Sequence, residues 1–208
     1  MLQQVDFRLF FVASWALIVA PGPDLLYVIS RGISQGRLAG LFSAAGITLG
    51  LLVHTTLAAL GLSVLLQTSS HAFAVVKWVG AAYLIILGIK SVRNETGLSV
   101  SARLEPVSPQ IIFVQGALTN VLNPKVALFF LAFLPQFVTP TGNSTLVLFI
   151  LGLIFSFWGL LFLTLVGYFS GRFGLWILRK KRLSAGMRWL TGVTLAGLGL
   201  RLAFVQRK

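Results

Sequence analysis

The chain of 208 residues contains no cysteine and only four acidic residues. Without Cys there is no disulfide, no thiolate metal site and no Cys nucleophile. Charged residues of all kinds make up 10% of the chain, against roughly 25% in a soluble domain. So little charge could not cover a water-exposed surface, and there is no room for a soluble domain beside the apolar runs. Also missing are a Gly-rich phosphate loop ending in Gly-Lys-Ser/Thr, a His/Glu metal pattern, and a Ser/His/Asp set at recognisable spacing. These absences argue against an enzyme and call for no cofactor and no metal. Any pumping would have to be driven by a gradient or by a separate partner.

What is present is apolar sequence. Hydrophobic residues make up 57% of the chain, and the mean hydropathy is +0.92. Several runs exceed the ~18 apolar residues that mark a membrane-spanning helix. The expected fold is all-α, a polytopic membrane protein. The net charge of +13 would suggest nucleic acid on a soluble protein. Here it reflects the enrichment of Lys and Arg in cytoplasmic loops, and no nucleic-acid partner is expected. The first apolar run has a weak basic flank and is followed by more apolar sequence, so a cleavable signal peptide is not expected.

Six spans follow from the runs: about Phe7–Ser30, Leu38–Leu66, Phe73–Ile89, Ile111–Leu134, Leu146–Phe169 and Met187–Phe204. The connections after spans one, three and five carry most of the basic residues: Arg31 and Arg37; Lys90, Arg93 and Arg103; and Arg172, Arg179, Lys180, Lys181, Arg182 and Arg188. The positive-inside rule then puts both termini outside, although Arg207 and Lys208 count the other way. Trp78 and Trp189 each follow a basic residue at the start of a span and read as headgroup anchors.

The two halves resemble each other. Lys77-Trp78 opens a stretch ending in Gly88-Ile89-Lys90, and Arg188-Trp189 opens one ending in Gly199-Leu200-Arg201. Three spans per half is an odd number, so the halves would insert with opposite orientations. The whole chain, 1–208, then reads as one transmembrane domain: repeat one about 1–93, a cytoplasmic connection about 94–110, and repeat two about 111–208. Inverted repeats recur in secondary transporters.

Inside span one lies Pro21-Gly22-Pro23-Asp24. Each proline lacks an N–H and clashes with the preceding turn. In a membrane the freed backbone groups must line a cavity or face protein. The repeat then requires a second break in span four, and Asn120-Val121-Leu122-Asn123-Pro124-Lys125 supplies it. Paired interruptions of this kind point to a transporter's substrate site. The candidate substrate residues are Pro21, Gly22, Pro23, Asp24, Asn120, Asn123, Pro124 and Lys125.

A charge at the bilayer centre costs about 2.5–3.5 kcal/mol on insertion scales and so needs a reason. Asp24 reads as a helix cap, as the partner of a substrate ammonium, or as a carrier of a coupling proton. Lys125 reads as a partner of Asp24, as the receiver of a substrate carboxylate, or as a snorkelling interface residue. His54, deep in span two, reads either as a proton-coupling group or as a hydrogen bond between helices. His71 falls in a loop and has no assigned role. Asn120 and Asn123 need partners if buried. Gly46-x3-Gly50 and Gly167-x3-Gly171 are small-residue spacings for close helix contact.

These motifs, taken in order, resemble the LysE/RhtB family of bacterial amino-acid exporters, in its homoserine/threonine-efflux-like branch. The resemblance rests on Ala20-Pro21-Gly22-Pro23-Asp24, Gly36-Arg37-Leu38-Ala39-Gly40-Leu41, Gly46-Ile47-Thr48-Leu49-Gly50 with Val53-His54, and Gly80-Ala81-Ala82-Tyr83-Leu84. It continues in Gly116-x3-Asn120-x2-Asn123-Pro124-Lys125 and in Phe133-Leu134-Pro135-Gln136-Phe137. It covers nearly the whole chain. It implies export of amino acids or close derivatives from the cytoplasm through the inner membrane, by proton exchange, with the amino acid and the lipid bilayer as partners. A homo-oligomer is left open. One deep carboxylate fits a neutral zwitterion, such as threonine, homoserine or a leucine-like solute, better than a dibasic one. The alternatives are export of a basic amino acid, an organic cation or a metal ion, or a non-transport scaffold. Metal transport would want a cluster of carboxylates, His or thiolates, which this chain does not offer.

Overall fold

In the computed structural model, residues 6–62, 70–93, 104–138, 143–170 and 181–204 are described. All regular structure among them is helical. Helix α1 (Phe7–Val19) and helix α2 (Pro23–Gln35) are the two parts of the first broken span, bent by 46° at the Pro-Gly-Pro. Helix α3 (Arg37–Leu57) follows after one residue and runs on through a π turn, Ala58–Leu62. Gly36 makes that reversal at φ 82°, a left-handed conformation that glycine takes without steric cost. Helix α4 is Ser70–Val92.

Helix α5 (Pro109–Val121) and helix α6 (Pro124–Leu128) form the second broken span, also bent by 46°. Helix α6 continues through a π turn (Phe129–Phe133) and a 3-10 turn (Leu134–Phe137). Helix α7 is Ser144–Phe169 and helix α8 is Lys181–Phe204. The starts follow local chemistry. Asp6, Ser108 and Asn143 each accept a first-turn N–H, and Pro23, Pro109 and Pro124 each occupy a first helical position where no N–H is needed.

Among the described residues three helices are long and apolar enough to cross a membrane, and counting each bent pair as one span raises this to five. Helix α8 is not in that set; it carries Arg188 and Arg201. Some boundaries move from the sequence-based expectation. The first broken span reaches Gln35 rather than Ser30, so Arg31 lies within α2 and not in a connection. Helix α4 starts at Ser70, ahead of the expected Phe73, which puts His71 in its first turn. The expected end of span two at 63–66, Gly171, Arg172, Arg179, Lys180 and most of the 94–110 connection fall outside the described residues.

Small residues set the helix spacing. Gly40 and Gly167 meet face to face: a methyl on Gly40 would come 2.6 Å from the Gly167 carbonyl, and one on Gly167 would come 2.7 Å from the Gly40 carbonyl. At the other end of this crossing Gly152 lies against Thr55, so α3 and α7 run antiparallel. Helices α4 and α8 cross in the same sense. A methyl on Gly88 would meet the Gly192 carbonyl at 2.6 Å and the Ala196 nitrogen at 2.8 Å. One on Gly199 would meet the Ala81 carbonyl at 2.8 Å and the Ile85 nitrogen at 3.1 Å. These contacts exchange under the same offset that aligns Trp78 with Trp189.

The core is an aromatic cluster built on the π turn after α6. Phe129, Phe130 and Phe133 are buried there with Phe137, Phe10 and Phe155, and the Phe129 and Phe155 rings stand 4.9 Å apart. Apolar side chains also cover the outside: Trp78, Leu122, Trp189 and Phe204 are all exposed. A fold that is apolar on both its inner and outer faces suits lipid as its solvent.

Candidate functional site

The two breaks lie against each other at the centre of the fold. Pro21 cannot donate an N–H, so the Leu17 carbonyl, four residues earlier, loses its helical partner. Lys125, from the second break, takes that place: its ammonium donates to the Leu17 carbonyl at 3.1 Å and to the Ala20 carbonyl at 3.0 Å. Gly22 makes room for it, since a methyl there would come 3.1 Å from Lys125 Nζ. Lys125 is only 7% exposed, so the snorkelling alternative is overturned. The pairing alternative is also revised. The ammonium stands within electrostatic range of Asp24 but spends its contacts on carbonyls. Two of its three N–H groups are used.

The second break mirrors this arrangement. Pro124 deprives the Asn120 carbonyl, again four residues earlier, of its helical donor. Two donors replace it: the Asn123 backbone N–H at 2.9 Å and His54 Nε2 at 3.1 Å. A carbonyl only accepts, so His54 carries its proton on Nε2. The imidazole also stacks on Phe130, with ring centres 5.8 Å apart. The contact of His54 with the Asn120 carbonyl is a hydrogen bond between α3 and α5.

Asp24 sits in the first turn of α2, where the helix dipole favours a negative charge. It is the one buried carboxylate among the described residues. The Asn120 side-chain amide donates to Asp24 Oδ2 at 2.9 Å. The Asn123 amide also turns toward Asp24 without closing a hydrogen bond to it, while its oxygen accepts the Lys125 backbone N–H at 3.0 Å. Three buried polar atoms keep no protein partner here: Asp24 Oδ1, Asn120 Oδ1 and Asn123 Nδ2. That is two acceptors and one donor.

A cavity of about 30 Å³ adjoins the breaks. It is lined by Asp24 and Lys125 and otherwise by apolar groups, among them Leu17, Leu25, Leu51, Val126, Phe155 and Leu163. That volume holds a water molecule or two but not an amino acid.

Of the residues singled out at the breaks, Asp24, Asn120, Asn123 and Lys125 are buried and linked by contacts, Gly22 lies against Lys125, and His54 reaches the Asn120 carbonyl, whereas Pro23 and Pro124 are exposed. Sequence reasoning missed three features. The carbonyls of Leu17 and Ala20 were not foreseen as the contacts of Lys125. Gly50 looked like a packing residue only, yet a methyl there would strike Asn120 Cβ and Oδ1 at 2.7 Å, so it positions a site amide. Arg31 was counted as a loop cation. Its spacing of seven from Asp24, two turns along one helix face, was the available signal.

A helical chain with two broken spans meeting around a carboxylate and an ammonium has the build of a membrane transporter. The chain belongs to the LysE type translocator family, whose model matches residues 15–206. It is 31% identical to an uncharacterized membrane protein of Bacillus subtilis, over 89% of this chain and 92% of that one. It is 32% identical to another from Pseudomonas aeruginosa, over 95% and 94%. It is 31% identical to the leucine efflux protein of an Enterobacter species, over 96% and 95%. No solved structure matches it. The chain is a multi-pass membrane protein.

Proposed function

We propose that the protein is a secondary transporter that exports neutral amino acids from the cytoplasm across the inner membrane, by exchange for protons. The observation that carries this reading is the placement of oppositely charged residues at the two breaks, Asp24 on one and Lys125 on the other, along one small, mostly apolar cavity. The α-ammonium of the substrate goes to the unpaired oxygens Asp24 Oδ1 and Asn120 Oδ1. The α-carboxylate goes to the remaining N–H of Lys125 and to the Asn123 amide. The apolar lining takes an aliphatic side chain, which agrees with the leucine efflux proteins among the relatives. A dibasic side chain would find no second carboxylate there.

In this reading the fold is six spans in two inverted three-helix repeats, with both termini outside, and one repeat rocks against the other to open the site alternately. The equal 46° bends support it, as do the exchanging contacts of Gly88 and Gly199. Asp24 is the group that exchanges a proton for the substrate ammonium.

Counterflow in liposomes tests the reading. Protein loaded with unlabelled leucine should take up labelled leucine or threonine, and a collapsed pH gradient should slow net export. Faster counterflow of lysine or arginine than of leucine, threonine or homoserine would overturn the substrate class. Absence of counterflow for every amino acid would overturn the function.

A further inference from the structure

Two turns along α2 from the central site, Arg31 is 6% exposed, yet among the described residues no carboxylate pairs with it. Its Nη1 donates to Gln35 Oε1 at 2.6 Å and to the Glu105 carbonyl at 3.1 Å, and its Nη2 donates to Gln115 Oε1 at 2.8 Å. Every acceptor is neutral. Its Nε is buried with no partner at all. The Tyr27 ring lies 5.8 Å from the guanidinium carbon, and the Tyr27 hydroxyl donates to the Ile112 carbonyl at 2.9 Å. A guanidinium buried among neutral groups is a charge without its counter-charge, and such a site favours an anion.

The geometry specifies which anion. A guanidinium binds a carboxylate best along one edge, with two parallel N–H bonds to the two oxygens. On Arg31 the edge formed by Nε and Nη2 has one member unpaired and the other held only by the side-chain amide of Gln115, an exposed residue. A carboxylate on that edge displaces one neutral bond and leaves both Nη1 bonds in place. The location fits as well. Asp24, Tyr27 and Arg31 share one face of α2, opposite Asn120, Gln115 and the Ile112 carbonyl of α5. This polar seam joins the breaks to the segment 104–108.

We propose that Arg31 is a second carboxylate subsite for the transported amino acid, at the 104–108 end of the α2–α5 seam, and that binding there releases Gln115 and unfastens α2 from α5. The proposal rests on the export reading above. The substrate meets Arg31 first, as it arrives from the cytoplasm, and then passes along the seam to Asp24 and Lys125.

The test uses the full-length protein, in liposomes for counterflow and in detergent for thermal melting, with leucine and leucinamide as probes. Leucinamide keeps the ammonium and side chain but lacks the carboxylate. Arg31→Gln should raise the KM for leucine counterflow by about tenfold or more, the effect of losing a hydrogen bond to a charged group, with the maximal rate largely retained. It should also shrink the stabilisation by leucine and leave that by leucinamide unchanged. Arg31→Lys, which keeps charge but not the fork, should fall between the two proteins. Gln115→Ala, which removes only the competing acceptor, should lower the KM. A wild-type leucine KM in Arg31→Gln, or an equal loss for leucine and leucinamide, overturns the proposal. If Arg31→Gln does not fold, a wild-type KM in Arg31→Lys overturns it. A wild-type protein that moves no amino acid overturns the export reading first, and this proposal with it.

Discussion

The two broken spans bend by the same 46° but are held in different ways. At the second break most of the repair is local: the Asn123 oxygen accepts the Lys125 N–H and the Asn123 N–H reaches the Asn120 carbonyl. At the first break Gly22 offers no side-chain cap, and the Leu17 and Ala20 carbonyls are met by a side chain from the other half of the molecule. Asp24 likewise takes its hydrogen bond from Asn120 of the second break. The first break therefore presents the anion and leans on the second, which supplies the cation and the amide. Lys125 also stands at the positive start of its own helix, an unfavourable place for a cation. The carbonyl end of α1 offsets that. The proposed binding residues also serve as structural props through their other atoms, and each break can be perturbed to learn which role dominates.

The largest effect is expected at Asp24. Asp24→Asn keeps the shape and the bond to Asn120 but removes the charge that meets an ammonium. Efflux of labelled leucine should fall to background, while the amount of protein in the membrane stays normal. Wild-type efflux in this variant would remove Asp24 from the mechanism.

Lys125→Met should also abolish efflux, but with a second cost that Asp24→Asn lacks. It leaves the Leu17 and Ala20 carbonyls without their donor, about 1–3 kcal/mol for each buried group left unsatisfied. The purified variant should melt several degrees lower. Adding Pro21→Ala gives α1 back an N–H for the Leu17 carbonyl, so it should recover part of the melting temperature and none of the efflux. Unchanged melting in Lys125→Met would show that the prop is idle.

Much of this arrangement was legible in the sequence. Prolines inside apolar runs announce themselves, because a membrane leaves freed backbone groups few places to go. The halves' likeness then linked Asp24 to Lys125 and brought Asn120 and Asn123 along. The direction of the Lys125 side chain was not legible, since its acceptors are backbone carbonyls, which carry no residue signature. Arg31 was misplaced for a related reason. Ser30-Arg31-Gly32 looks like the end of an apolar run, but Tyr27, Gln35 and Gln115 build a polar lining that lets the helix carry the charge inward. Gly50 shows that a spacing read as packing can also serve a site. Gly50→Ala should push Asn120 off Asp24 and slow efflux several-fold, and Asn120→Ala should occlude that effect if the two act through one contact.

The smallest effect separates the two readings of His54, whose Nε2 repairs the second break as Lys125 repairs the first. If the imidazole matters as a hydrogen-bond donor to the Asn120 carbonyl, a neutral amide of similar reach should replace it. His54→Gln should then keep most of the efflux and the same dependence on the pH gradient, while His54→Leu, which fills the space without donating, should lower both efflux and melting temperature. If the imidazole carries the coupling proton, the two variants should fail alike, and both should lose the response to the gradient while still exchanging labelled for unlabelled leucine. Comparing net efflux with exchange in the two variants decides the matter. The expected result, activity in His54→Gln, leaves Asp24 as the proton carrier and makes the two breaks alike in one respect: each proline's orphaned carbonyl is met by a side chain from the opposite half.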